Sequence, residues 1–475
     1  KYLRRFNEND ATIRRRTYTM RKGIYKAAVL ILAGTMCAGL TACSGKTQET
    51  KVQETAVQDT KEAQTGETGK EQASEAGKES AAPKKKVSLV LATNWGEGDS
   101  KYNYFYPKFQ EFQEANSDTM DITLETYSTE DYKTKIKTQT ASGDLPDVFT
   151  YWGGAMMTDM VEAGLLLDVE EYFNASDQVK RDGFEPTSFG YYTASDGKTY
   201  GIPIESTRGI FLANKQLFEE NGLEIPKTYE ELLKTAKAFN EKGIIPIAIG
   251  SNGGTPSEFF FSELYGQYDG AAKELEELAA TRTFNTENAL KVANNIKDMI
   301  DQKMFPADTV ANGGWAASLQ LYTDRKAAMT YTYPWMFESI PEEIQEASEI
   351  VPLPMLPDAD IDPAGIMTGF TVYGFEINKA SFEDAAKHDA MVKLCDFLAS
   401  DELSAELTKS GMIPAKNIEI DMDSQKLIFK KMMEYAQDKK LISVHYTTMP
   451  DQDAVNMMDS SLDEFFINAL TPQEL

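Results

Sequence analysis

Four tryptophans stand where the chain reads as a strand end or a loop. Trp95 follows Val87–Leu91, Trp152 closes Val148–Tyr151 ahead of Gly153-Gly154, Trp315 follows Gly313-Gly314, and Trp335 follows Tyr333-Pro334. An indole offers a broad apolar face and one N–H donor. A sugar ring is its complement, an apolar C–H face rimmed by hydroxyls that need side chains able both to donate and to accept. Asn94, Glu97 and Glu258 are hydroxyl partners of that kind near such loops, and Tyr151, Tyr333 and Phe370 could add aromatic area. Each has a structural alternative. A lone aromatic is expected in a core, Glu258 would also open a helix after Pro256-Ser257, and Asp147 reads as a cap for the turn after Pro146.

Catalytic material is thin. His388 and His445 are the only histidines, too few for a His-rich zinc site and meagre for a Ser-His-Asp triad. His388 sits on a polar helical stretch and should be solvated, whereas Val444-His445-Tyr446 reads as structural. A glycosidase needs two carboxylates roughly 5–9 Å apart, and acids are too abundant here for their presence to argue anything. The glycine doublets 153–154, 253–254 and 313–314 lack the Lys-Ser/Thr ending of a phosphate loop. Asp358, Asp360 and Asp362 begin like a calcium loop, but Pro363 and Gly369 occupy its sixth and twelfth positions. No metal and no cofactor is expected.

Leu40-Thr41-Ala42-Cys43 follows a basic stretch, Met20-Arg21-Lys22 and Lys26, and an apolar run from Ala27 to Leu40. That run has the length of a signal-peptide core and is too short to span a bilayer. The four residues resemble the bacterial lipobox, in which cleavage before Cys leaves a diacylated thioether at the new N-terminus. Cys43 is therefore the expected lipidation site, holding the protein on the outer face of a cytoplasmic membrane, as in a Gram-positive bacterium. Residues 1–19 precede Met20 and read as an upstream extension, and Thr471-Pro472-Gln473-Glu474 reads as a helix start that runs out at Leu475. Between Ser44 and Lys86 the aliphatic side chains larger than alanine are Val52 and Val57, and there are no aromatics. Such a composition cannot bury enough surface to fold and makes a tether of about 35 Å root-mean-square span.

The leader through Ala42 holds nine Lys/Arg and two Asp/Glu, so its removal leaves 39 basic against 73 acidic residues, a net charge of −34. That charge repels nucleic acid and anionic membrane surfaces. Of three cysteines Cys37 departs with the leader, Cys43 is lipidated and Cys395 lies on an apolar helix face. No intrachain disulfide is then possible.

From Val87 onward, short β-rich runs alternate with helical periodicity. Val87–Leu91, Ile122–Thr126, Val148–Tyr151, Ile244–Ile249, Ala327–Thr332 and Thr371–Ile377 read as strands. Tyr102, Phe105, Phe109 and Phe112 mark one helix, with others near Asp131–Ala141 and Met156–Ala163. This alternation predicts an α/β fold with parallel-rich sheets flanked by helices and a ligand beyond the strand ends.

Several segments, in order, resemble the family 1 extracellular solute-binding proteins of ABC sugar importers, the group of maltose-binding protein. They are Ala141-Ser142-Gly143-Asp144-Leu145-Pro146-Asp147-Val148, Gly164-Leu165-Leu166, Asp196-Gly197-Lys198-Thr199-Tyr200-Gly201-Ile202-Pro203 and Asn214-Lys215 with Leu217-Phe218. There follow Gly222-Leu223, Pro226–Leu232, Gly243–Ile247, Lys326–Met329 through Pro334-Trp335, and Gly411-Met412-Ile413-Pro414-Ala415. The resemblance covers nearly all of Val87–Leu475 and implies a two-lobe, hinge-connected fold with a ligand cleft between the lobes. Lobe 1 would be 87–204 plus 352–400, and lobe 2 205–351 plus 401–475. The crossings would lie near Glu205–Arg208, Pro352–Pro357 and Ser400–Asp401.

By the same resemblance Trp335 is the sugar-stacking position, and Glu205, Thr207 and Arg208 lie where relatives place an acid or an Asp-Thr-Arg-like group. Arg208 could equally form an interlobe salt bridge. The function implied is a non-catalytic, monomeric receptor that captures a mono- or oligosaccharide and hands it to ABC permease subunits. A same-fold receptor for another solute and a secreted glycosidase are the alternatives, and a sensor subunit would carry the same sequence features.

Overall fold

The computed structural model of the protein describes residues 86–281, 284–448 and 451–475. Cys43, the leader and most of the tether lie outside the described residues. In chain order the strands are β1 (Val87–Thr93), β2 (Met120–Thr126), β3 (Val148–Tyr151), β4 (Gly201–Arg208), β5 (Ile210–Asn214) and β6 (Ile245–Ala248). They continue with β7 (Ser251–Asn252), β8 (Thr255–Pro256), β9 (Ala327–Thr332), β10 (Ser348–Val351), β11 (Ile366–Ile377), β12 (Ile413–Pro414) and β13 (Lys440–Ile442).

Local sequence explains most of these elements. All four residues of β3 are buried, as an unbroken apolar run requires in a strand covered on both faces. Phe105 and Phe109, one turn apart, are the buried face of the helix Tyr102–Ala115. Ser128 accepts from the backbone of Asp131 to start the helix Thr129–Ser142, and Thr228 with Glu231 forms a capping box on Tyr229–Glu241.

Two sheets carry the two lobes of an α/β fold of the periplasmic-binding-protein kind. The first runs β12-β4-β11-β3-β1-β2, with β13 also on β11, and the second runs β10-β5-β9-β6. Helices flank both. The expectation of parallel-rich sheets is corrected. β1–β2, β1–β3, β6–β9 and β11–β13 pair parallel, while β11 pairs antiparallel with β3 and β4, and β5 pairs antiparallel with β9 and β10. The antiparallel pairing is centred on the long strand β11, which lies between β3 and β4, and on β5, which lies between β9 and β10.

Separate cores form around the sheets. Leu89, Phe105, Val148, Ile202, Phe375 and Leu394 belong to the first, and Phe211, Phe239, Ile247, Phe260, Tyr331 and Phe465 to the second. The first crossing is at Gly209, between β4 and β5, just past the predicted Glu205–Arg208. The second lies further on than Pro352–Pro357, because Leu353 and Leu356 still pack in the second core and the return is made along β11. The third is later than Ser400–Asp401. Leu403, Leu407 and Met412 pack in the first core, so the helix Asp401–Leu407 belongs to lobe 1.

Candidate functional site

Trp335 is the best-presented ring. Tyr333 is the extended residue ahead of the short 3-10 turn Pro334–Ser339, and Pro334 fixes the backbone angle that launches the indole. The indole lies parallel to the fully buried Tyr333 ring, 4.6 Å between centroids and 2° between planes. Trp315 meets it edge-on at 5.5 Å and Phe259 at 5.9 Å. Trp335, Trp315 and Phe370 are all half-buried against the second core. Phe370 joins the group beside Phe259 and Tyr333, with ring separations of 6.2 Å each.

His445, not counted among the site candidates, closes this wall. Its ring is 4.2 Å from Phe259 and 4.9 Å from Phe370. It is 2% exposed, and burial pulls its pKa down to about 3, so it is neutral. Nδ1 is 2.6 Å from the Thr447 hydroxyl, and Nε2 finds no protein partner.

The lobe 1 side is built around Trp152 and Tyr373. Trp152 is half-buried, edge-on to Tyr373 at 4.9 Å and to Tyr151 at 5.4 Å, with Lys133 Nζ 5.4 Å over its ring. Tyr151 itself is core. Tyr373 donates to Asn94 Oδ1, which places half-buried Asn94 beside the Trp152 group. Gly153 and Gly154 follow, but the space they leave is taken. A Cβ on Gly153 would lie 2.3 Å from the Tyr191 carbonyl oxygen, and one on Gly154 3.2 Å from that of Thr448. These glycines admit neighbouring chain rather than a ligand.

Other predicted residues are placed differently. Trp95 is 1% exposed and packs against Phe105 at 5.3 Å and Tyr373 at 5.8 Å, so it is a core residue of lobe 1. Glu205 is 3% exposed and tied to Lys101 at 3.0 Å. Burial pushes the Glu205 carboxyl up against the pull of Lys101. Burial works the other way on Lys101, but Glu205 and Asp99 outweigh it and hold the ammonium high. Removing one partner of such a pair leaves an uncompensated buried charge, so Glu205 acts as an anchor of β4.

Thr207 is fully buried opposite Phe370 in register, and its hydroxyl has no protein partner. Strand alternation turns Arg208 to the other face, where its Nη1 would lie 3.0 Å from a Cβ on Gly369 and donates to the Thr207 carbonyl at 2.8 Å. Arg208 is half-buried and makes no ion pair among the described residues, so the interlobe salt bridge is not formed. Glu97 is exposed on the turn after β1.

Glu258 is 6% exposed and hydrogen-bonded side chain to side chain with Asp459, 201 positions along the chain. Burial raises both, Glu258 well above the carboxylate range and Asp459 to about 6. The Tyr446 hydroxyl donates to Asp459. The charge of Lys133, from lobe 1, reaches both acids. Phe259, Lys133, His445 and Asp459 were missed by sequence reasoning. Phe259-Phe260-Phe261 reads as a core run, and nothing local to Asp459 signals its partner.

The arrangement offers aromatic faces, a neutral imidazole and an amide, and a buried acid pair that shares a proton and feels the Lys133 charge from lobe 1. This suits a polyhydroxylated, uncharged ligand. Asp147, expected as a cap, instead accepts from Val90 N at 2.6 Å and from Lys387 at 2.6 Å, a structural tie between segments far apart in sequence.

Comparison with known proteins places this geometry. Residues 95–404 match the bacterial extracellular solute-binding protein family. A binding protein of Brucella abortus is 24% identical over 72% of this chain and 79% of its own. The melibiose/raffinose/stachyose-binding protein of Bacillus subtilis is 20% identical over 75% and 80%. A solved structure described with xylan utilisation by the thermophilic bacterium Caldanaerobius polysaccharolyticus superposes with a TM-score of 0.69 at 22% identity, covering 82% of this chain and 97% of that one. At such identity the superposition speaks for the fold.

Proposed function

The chain belongs to the bacterial extracellular solute-binding protein family, and we propose that it captures a mono- or oligosaccharide and delivers it to ABC permease subunits. The observation that carries this reading is Trp335, half-buried and held flat against Tyr333. A ring backed on one face and free in part is built to stack on another flat apolar surface. The sugar ligands in relatives' names support the same class. His445 beside the plate is neutral, and the Glu258–Asp459 pair and Lys133 offset one another in charge, which favours hydroxyls over charged solutes. Catalysis is not part of the reading, since the relatives are binding proteins.

Cys43 carries the lipid anchor in this proposal, and the 44–86 segment lets the receptor reach a permease in the same membrane. A thermal-shift screen with xylobiose, chitobiose, melibiose, raffinose, maltotriose and galactose tests the carbohydrate reading. Ligand bound only to the folded state raises the melting midpoint by mass action. At least one of these sugars should raise it in a dose-dependent way. A flat response to all six, with a positive response to a polyamine or phosphate, would replace the sugar by another solute.

A further inference from the structure

The lobes meet on both sides of the aromatic site, and where they meet limits what can lie between Trp152 and Trp335. Strand alternation divides the first sheet into two faces. Leu91 and Val148 turn to one face and pack with Phe105 and Phe109, whereas Ala92 and Phe149 turn to the other and pack with Tyr132, Ile136 and Met157. Trp152 packs against both groups, so it stands at the edge of the sheet between its faces.

From the first face, half-buried Tyr104 of the helix Tyr102–Ala115 is hydrogen-bonded side chain to side chain with Glu338 of lobe 2. Lys426 holds the same carboxylate at 2.9 Å. Glu338 lies on the 3-10 turn that begins with Pro334-Trp335. This contact is therefore three residues beyond the plate, about 6 Å of 3-10 rise.

From the second face, the turn Gly154–Met157 packs against the turn Tyr446–Thr448 and the helix Gln452–Phe466 of lobe 2. A Cβ on Gly154 would lie 3.2 Å from the Thr448 carbonyl oxygen and 3.5 Å from that of Thr447. Ala155 is 5% exposed and belongs to the second core, although Trp152 and Met157 on either side pack in lobe 1. Gly154 is two residues past Trp152, and Thr447 two past His445, at most about 7 Å of extended chain in each case.

We propose that the site takes its sugar whole and short, a mono- or disaccharide, and excludes chains that would run out past Tyr104–Glu338 or past Ala155. The inference rests on the carbohydrate reading of the Trp335 plate. A ligand touching both Trp152 and Trp335 meets one of the two contacts within one further ring. A longer chain has to part the lobes there. It gives up the Tyr104 hydrogen bond to a carboxylate or draws the Ala155 methyl out of apolar surroundings. Affinity should fall with chain length, where an open-ended groove would gain contacts with each added unit.

The test is calorimetric titration with three length series: xylose to xylotetraose, glucose to maltotetraose, and N-acetylglucosamine to chitotetraose. In a series that binds, the mono- or disaccharide should be tightest and the tetrasaccharide at least tenfold weaker. Tyr104→Ala opens one end and Ala155→Trp wedges the other. At least one of them, according to the end at which the chain extends, should cut that penalty to threefold or less. Ala163→Trp, on an exposed residue at the end of the helix Thr158–Glu162, should keep it. A tetrasaccharide bound as tightly as its disaccharide, or a penalty unchanged in both Tyr104→Ala and Ala155→Trp, overturns the proposal. A second readout needs no sugar. Small-angle scattering should give Ala155→Trp a larger radius of gyration than wild type or Ala163→Trp, and an unchanged radius also overturns the proposal. If no series binds while the radius grows as stated, the two contacts stand and the carbohydrate reading falls, and the choice of ligand with it. If one variant does not fold, the other decides.

Discussion

Replacing Trp335 by alanine should separate binding from folding, and Trp95→Ala is the matched control. Both are tryptophans next to aromatic clusters, but one is half-buried and the other 1% exposed. Trp335 gives one face to Tyr333 at 4.6 Å and its edges to Trp315 and Phe259 at 5.5 and 5.9 Å. If a sugar occupies the remaining surface, truncation removes a central stacking contact worth about 2 kcal/mol. At 1.4 kcal/mol per decade that is a roughly 30-fold loss of affinity. The stability cost should be small, on the order of 1 kcal/mol, since only part of the ring leaves an apolar environment. Trp95→Ala opens a cavity in the lobe 1 core and should cost about 3–5 kcal/mol of stability. Calorimetric titration with the sugar found by thermal shift, paired with urea unfolding, reads both quantities. Wild-type affinity in Trp335→Ala would refute the platform. A larger stability loss at Trp335 than at Trp95 would show the half-buried ring to be a packing residue instead.

Four further outcomes follow from other parts of the molecule. Palmitate label in a bacterial host should vanish in Cys43→Ala, since thioether formation needs the sulfur, and a labelled mutant would end the lipoprotein reading. Small-angle scattering should show a smaller radius of gyration at saturating sugar than without it, as hinge closure requires, and superimposable curves from an open starting state would exclude closure. Glu376 is fully buried on β11 with both carboxyl oxygens unpartnered, and burial raises its pKa far above that of an exposed acid. A raised folded pKa stabilises fully below the unfolded value and is lost as pH rises. Wild type should therefore lose stability relative to Glu376→Gln as pH rises from roughly 4.5 through the raised folded pKa, and an unchanged stability difference between the two at pH 5 and pH 8 would contradict this. Lys101→Met should destabilise by about 3–5 kcal/mol by stranding Glu205, with denaturant midpoints as the measure and an unchanged midpoint as the refuting result.

The strand and helix pattern was legible because it is local. β1, β2, β3, β6, β9 and the later part of β11 lie where alternation or continuous apolar runs placed them. β4 and β5 were harder to see as strands, because Pro203 lies within the first, Gly209 separates the two, and their partners lie more than 110 residues away. The helix Asp401–Leu407 reads as amphipathic in isolation, but nothing in its own residues says which lobe its apolar face will meet.

The same division holds for the site. Trp335 was singled out by the resemblance of the segment Lys326–Trp335 to a family segment, whereas residue order and type alone marked all four tryptophans alike. They could not tell Trp335 from Trp95, because both follow strands and only long-range packing buries one ring and leaves the other half free. Glu205, Glu258 and Glu263 are chemically alike in sequence. Tertiary structure gave the first a lysine from a distant turn, the second an acid 201 positions on, and the third two hydroxyls from other strands. A carboxyl group takes its charge and role from its desolvation and its nearest partners, and both are properties of the folded neighbourhood rather than of the chain beside it.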